Sequence, residues 1–352
     1  MCIMKKLLVL ILSVVAAFAA ILSLTACDNK PSGNGGTTIT DGSSGGGSES
    51  GDRYLKSLQY ELNDDKAGYI LTGIGECSDT NIIIPSMYNN KPVISIGDGA
   101  FSNWAAFTGV TIPDSVTSIG DSAFSGCSSL TSITIPDGVT DMGNGVFHDC
   151  TSLTSVTIPD GVKSIGNDAF FGCISLTSVT IPDGVTIIGD SAFRNCTSLT
   201  SIMIPDGVTS VGEYAFSYCR SLTSVTIGDN VTSIGDSMFY NCSSLTSVTI
   251  GDNVTSIGNS AFDYCISLAS INIPDGVTSV GEYAFSYCRS LASINIPDSV
   301  TNIDGYAFSG CSFLTTISYD GTKSQWNSIN KNNWNKYTDI TSIICKDGVI
   351  TL

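Results

Sequence analysis

A cysteine closes almost every turn of an internal repeat: Cys127, Cys150, Cys173 and their successors through Cys311 are evenly spaced, without a slip. Thiols can bind zinc, form disulfides or attack electrophiles, so this row is the first place to look for chemistry. Zinc sites draw on close-set pairs such as CxxC, and the chain has none. Disulfides between successive coils are disfavoured by direction, because side chains at one repeat position project in parallel. Their Cβ atoms would stand about 5 Å apart, where a disulfide needs about 3.8 Å. Buried, reduced thiols packed as small hydrophobes are therefore expected. The single histidine, His148, occupies a slot filled in other coils by Ser125, Phe171, Arg194 and Tyr240, which predicts a solvent-exposed coil residue rather than a catalytic base. No GxSxG, HExxH or GxxxxGK[ST] pattern occurs, so no catalytic residue, metal ligand or cofactor is expected and the protein reads as a non-enzyme. The turn aspartates, Asp114 through Asp298 at the same period, form a possible acidic ladder for calcium. Turn formation already accounts for each, and repulsion between neighbours in water is only about 0.8 kcal/mol.

These residues need a scaffold, and the same period supplies one. Phenylalanines keep the cysteine interval from Phe101, Phe124 and Phe147 to Phe308, and leucines from Leu130 to Leu314 keep step. Such regularity predicts a solenoid whose coils touch only their neighbours. In "LTSITIP", Leu130, Ile133 and Ile135 alternate with Ser132 and Thr134, as a short strand requires. Stacked, eleven such strands from Ile82–Ile84 to near Ile317 form a parallel sheet roughly 50 Å long. "PDG" then turns the chain, and two coils replace it with Gly228-Asp229-Asn230 and Gly251-Asp252-Asn253. After the turn, Val116, Ile119, Ala123, Phe124 and Cys127 fit either an inward-facing arc or a short helical turn.

The net charge of −17 lies wholly between Pro92 and Thr322, where 21 acidic residues face Lys163, Arg194, Arg220 and Arg289. Four scattered cations cannot release counterions from a phosphate backbone, which argues against nucleic acid. The charge also repels anionic lipid, so membrane association must come from elsewhere. The N-terminus provides it: two lysines, an apolar run from Leu7 to Leu22 and the segment Leu24-Thr25-Ala26-Cys27 resemble an export signal ending in a lipobox. That resemblance implies diacylglyceryl transfer to Cys27. The expected organisation is a signal peptide over 1–26, a Gly/Ser-rich tether over 27–51, an N-terminal cap and first coil over 52–107, the solenoid over 108–319 and a C-terminal cap over 320–352. In the last of these, Thr322 and Gln325 have capping-box spacing, and Asp347-Gly348 marks a hairpin.

The repeat "LTSITIPDGVTSIGDSAFSGCSS", the entry segment "GYILTGIGECSDTNIIIPSMYNNKPVISIGDGAF" and the later "YDGTKSQWNSI" resemble the BspA-like leucine-rich-repeat family. The resemblance covers nearly everything after Asp52. It implies a leucine-rich-repeat solenoid, export, display at the cell surface and adhesion to extracellular host proteins, with no catalytic residues to carry over. Two departures stand out: Trp104 replaces a cysteine, and the coil holding Tyr88 to Lys91 has a five-residue insertion.

Two surfaces could bind. The outward strand positions are Ser132, Ser155, Ser178 and Ser201 in one row and Thr134, Thr157 and Thr180 in another, a hydroxyl face suited to a glycan or an extended peptide. A second surface varies from coil to coil and gathers Tyr214, Tyr218, Tyr240, Tyr264, Tyr283, Tyr287 and Tyr306, with Arg220 and Arg289 close by. Tyrosine and arginine suit interface hot spots. The segment Ile204–Leu222 recurs verbatim as Ile273–Leu291, so duplication contributes to the pattern. The expected function is macromolecule binding, with an extracellular protein as partner; polysaccharide capture and a passive coat are the alternatives.

Overall fold

The computed structural model describes residues 57–352; the export signal, the Cys27 lipidation site and the tether lie outside them. Each 23-residue coil gives one strand to each of two parallel rows. The first row runs from Asn81–Ile83 to Thr316–Tyr319. Equivalent residues align across the coils, with Ser132, Ser155 and Ser178 side by side. The alternation in the sequence is the cause: Ile133 and Val156 point inward while Ser and Thr stay exposed. The row continues past the repeats into Ser342–Cys345, and the antiparallel strand Gly348–Thr351 follows it. The connecting turn falls at Lys346-Asp347, with Gly348 opening the return strand at a φ of +126°.

The stretch after the turn is neither arc alone nor helix. It contains a second strand row of two-residue segments such as Ser233–Ile234, Ser256–Ile257 and Ser279–Val280, also in parallel register. A run of turns then crosses back. Helix is blocked there because two residues per coil sit in the left-handed region, for example Ser122 at +54° and Gly126 at +71°. The backbone between them bonds sideways instead: the Phe124 N–H donates to the Val146 carbonyl at 2.9 Å and Gly126 N–H to the His148 carbonyl at 2.7 Å.

Between the rows lies one continuous apolar core. Successive phenylalanine rings stack nearly parallel, as at Phe101–Phe124 (5.1 Å) and Phe216–Phe239 (5.7 Å). At one end Trp104, in the slot of the missing cysteine, stacks on Phe107 at 5.2 Å. The insertion forms a small hairpin, Met87–Tyr88 against Lys91–Ile96, turned by Asn89 and Asn90 at +46° and +62°. At the other end Trp334 meets Phe308 edge-on at 6.2 Å. Helix α1 (Lys323–Ser328) starts with a full capping box between Thr322 and Gln325, and it brings Trp326 within 5.4 Å of Trp334.

Candidate functional site

The repeat cysteines are all free and buried. Each thiol donates to the phenylalanine carbonyl of the preceding coil, from Cys127 to Phe101 at 3.1 Å through Cys311 to Phe285 at 3.0 Å. Burial pushes the Cys127, Cys219 and Cys311 thiols up to about 12 and raises the others well above the ordinary range. Thiolate, the reactive form, is thereby suppressed. The carbonyl partner is invisible in the sequence because it lies a full coil away.

The acidic residues after the second strand row have structural work that the sequence does not reveal. Asp98 Oδ1 accepts the Asp121 N–H at 2.8 Å, Asp121 Oδ1 accepts the Asn144 N–H at 2.6 Å, and the ladder continues through Asp190 and Glu213 at 2.9 Å. Some turn aspartates behave alike, as where Asp206 accepts the Asp229 N–H at 3.0 Å. Among the described residues no three His, Cys, Asp or Glu side chains gather into a metal-holding group.

The tyrosines separate into two neighbouring columns on the rim. In one, Tyr218 and Tyr240 meet at 5.2 Å, Tyr240 and Tyr264 at 6.0 Å, and Tyr264 and Tyr287 at 4.6 Å. In the other, Tyr283 stacks on Tyr306 at 5.0 Å, and Tyr306 on Tyr337 at 6.2 Å. Tyr214 joins the stripe through Arg194, whose guanidinium lies 5.3 Å from its ring, 5.7 Å from Tyr218 and 5.7 Å from Phe171. Arg220 sits over Tyr218 at 5.8 Å and Arg289 over Tyr287 at 5.6 Å. His148, half-buried rather than freely exposed, stacks on Phe171 at 4.7 Å and extends the stripe further. Phe171 and Arg194 share a repeat slot with His148 and Tyr240, and that shared variability is the signal in the sequence that marks them.

The backbone under these rings is unusual. Tyr214, Tyr218, Tyr264, Tyr283, Tyr287 and Tyr306 all have φ between +52° and +61°. Other coils fill the same places with Ser122, Gly126, Gly145, Asp149 or Asn195. For a bulky aromatic the left-handed region costs about 1 kcal/mol or more. Gly310 sits beside Tyr287, and a Cβ there would fall 2.8 Å from its ring.

Beneath the rings the residue after each core phenylalanine turns inward wherever the next is tyrosine. Ser217 and Ser286 fill that place, and the Ser217 hydroxyl donates to the Ser237 carbonyl at 2.6 Å. Asp263 takes the equivalent place below Tyr264. Only 8% of it is exposed, and its Oδ1 has no hydrogen-bond partner. Burial raises its carboxyl to about 6, although the Ser286 side chain and the Tyr264 backbone favour ionisation.

Stacked coils with paired strand rows, a Leu–Phe–Cys interior and a variable rim define a leucine-rich-repeat solenoid. The chain belongs to the BspA-type leucine-rich-repeat family, whose six-copy repeat region matches residues 74–198, 142–269 and 255–352. Among solved structures it is similar to a leucine-rich cell surface protein from Faecalibacterium prausnitzii A2-165, with 33% identity over 78% of this chain and 96% of that one and a TM-score of 0.41. It is also similar to a leucine-rich-repeat protein from Bacteroides ovatus, with 27% identity over 79% of this chain and 97% of that one and a TM-score of 0.40. A leucine-rich-repeat protein from T. pallidum matches at 26% identity over 67% of this chain and 88% of that one, with a TM-score of 0.43. No curated protein matches the chain. Among the described residues no helix is long and apolar enough to cross a membrane.

Proposed function

We propose that this chain is displayed at a bacterial cell surface through a lipid on Cys27 and binds an extracellular protein with its tyrosine–arginine stripe. The family and the cell surface protein it is similar to support the display. The observation that carries the binding reading is the left-handed backbone under six stripe tyrosines. Fold stability would be better served by the Gly, Asn, Asp or Ser found in those places elsewhere, so strain concentrated on one rim points to use of the side chains. Duplication accounts for Tyr214, Tyr218, Tyr283 and Tyr287, but Tyr264 and Tyr306 lie outside the copied segments. Polysaccharide capture keeps one observation in its favour, the exposed hydroxyls of Ser132, Thr134 and their repeats. The stripe itself suits sugars less well, because its rings pack against one another, stacked or edge-on, or carry guanidinium groups on their faces.

The test is a panel of immobilised extracellular proteins and a glycan array, both probed with the chain carrying an affinity tag in place of residues 1–26. A protein ligand is expected, with binding lost in Tyr218→Ala/Tyr287→Ala. Undiminished binding by that variant would sink the stripe reading, and an absence of ligands in both panels would favour a passive coat.

A further inference from the structure

The stripe holds every arginine of residues 57–352: Arg194, Arg220 and Arg289. In so acidic a segment each would be expected to find a carboxylate. None does. Among the described residues the ion pairs are His148 with Asp149 and Lys346 with Asp298, and no arginine side chain donates a hydrogen bond. Two acids of the rim ladder are committed elsewhere, since Asp190 and Asp236 each accept the backbone N–H of the next coil, at 2.9 and 2.7 Å, while the exposed Glu213 and Glu282 beside Tyr214 and Tyr283 pair with no arginine.

The three guanidinium groups are instead held by rings. Arg194 lies against Phe171, Tyr214 and Tyr218, and Tyr218 also carries Arg220, so two like charges converge on one side chain with no anion between them. Stacking on an aromatic face leaves the in-plane N–H fork of a guanidinium free and already oriented, the arrangement that binds a carboxylate in bidentate fashion. Arg289 lies over Tyr287 at the place Arg220 holds three coils earlier, although the slot of Arg194 is filled there by Asp263.

Resting on the stripe reading, we infer that the partner offers an extended acidic segment lying along the solenoid, with its carboxylates received by Arg194/Arg220 and by Arg289. Three coils at about 4.8 Å separate Arg220 from Arg289 by roughly 14 Å, and an extended chain covers that in about four residues. Residues i and i+4 of a strand also share one face, so acidic side chains at that spacing meet both positions. The buried Asp263 lies between them, screened from solvent at 8% exposure.

The experiment uses the full chain and a fluorescein-labelled Ser/Gly decapeptide with Glu at positions 3 and 7, followed by fluorescence anisotropy. Parallel arms replace both Glu with Gln, move the second Glu to position 6, or offer a heparin-derived sulfated oligosaccharide. The i, i+4 peptide is expected to bind, the Gln peptide at least tenfold more weakly, and the shifted peptide in between. Arg220→Gln and Arg289→Gln are each expected to weaken binding by roughly tenfold, and Arg220→Lys by less, because charge remains while the fork is lost. Failure of the i, i+4 peptide to bind, equal binding of the Gln peptide, insensitivity to both arginine variants, or capture of the oligosaccharide alone overturns the inference. Arginine variants that keep the protein ligand while Tyr218→Ala/Tyr287→Ala loses it would refute the acidic partner and leave the stripe standing. Melting curves matching wild type show that the variants are folded, as expected for changes at the rim.

Discussion

Replacing Asp263 with serine should stabilise the protein, and only above mildly acidic pH. The carboxyl sits at 8% exposure with an unpartnered oxygen and titrates near 6, against an ordinary value of 3.8. At about 1.36 kcal/mol per unit that difference caps the cost of ionisation near 3 kcal/mol, and solvent screening at the rim reduces it to about 1–2 kcal/mol. A carboxyl whose folded value exceeds its unfolded one holds its proton more tightly when folded. Its favourable contribution is therefore complete below about pH 4 and is lost as the pH rises through 6. Serine is the residue of the equivalent places at 217 and 286, where it is fully or almost fully buried, and it carries no charge to desolvate. Thermal unfolding of wild type and Asp263→Ser at pH 7.5 and 4.5 reads the effect: the variant should melt about 2–6 °C higher at pH 7.5, with little or no gain at pH 4.5. Hydrogen exchange at the Phe262 and Tyr264 amides, which bond to the next coil, should slow in the same pH-dependent way. A variant no more stable at pH 7.5, or a gain that is the same at both pH values, would refute the reasoning.

Other expectations are simpler to check. Tyr218→Asn places in the left-handed site a residue that already occupies it at Asn103, Asn195 and Asn241, so stability should hold or rise while ligand binding falls; a loss of both in melting and binding assays would assign the tyrosine a structural role. The repeat thiols should resist a soluble thiol reagent in native protein and react together in denaturant, whereas disulfides between coils in native material would contradict the buried ladder. Trp334→Ala removes the ring that covers Phe308 and should cost about 3–5 kcal/mol in denaturant unfolding. Gly310→Ala should destabilise through both its φ of +72° and contact with the Tyr287 ring, and it should disturb ligand binding more than its distance from the arginines would imply.

What can be read from residues alone is whatever repeats at a fixed position. The Phe, Leu and Cys rows announce the core, the Ile–Ser–Ile–Thr alternation announces the first strand row, and Thr322 with Gln325 announces the start of α1. The second row escapes notice because a two-residue segment such as Ser233–Ile234 is too short to show alternation. Its existence depends on the neighbouring coil, not on local preference. The same holds for the tyrosine backbone: φ at Tyr218 is set by its N–H reaching the Tyr240 carbonyl at 2.7 Å, a bond between coils. The variability of its repeat slot is the one mark Arg194 carries in the sequence; its role stays hidden because the rings of Phe171, Tyr214 and Tyr218 that hold it come from the coils on either side. Trp334 is equally silent, since it lies beyond the last regular coil and its target, Phe308, lies within it.

The hydrogen bonds that join one coil to the next all run along the stack, and this has a mechanical consequence. A load applied at an end of the array acts on one inter-coil seam at a time, since each coil is bonded only to its neighbours. When a seam gives way, a unit about 5 Å thick releases a whole coil, roughly 75–80 Å of extended chain. Successive losses would lengthen the protein stepwise at similar forces, because the seams are built alike from ring stacks and thiol bonds. Such a molecule dissipates a pull by extending and leaves the remaining coils intact.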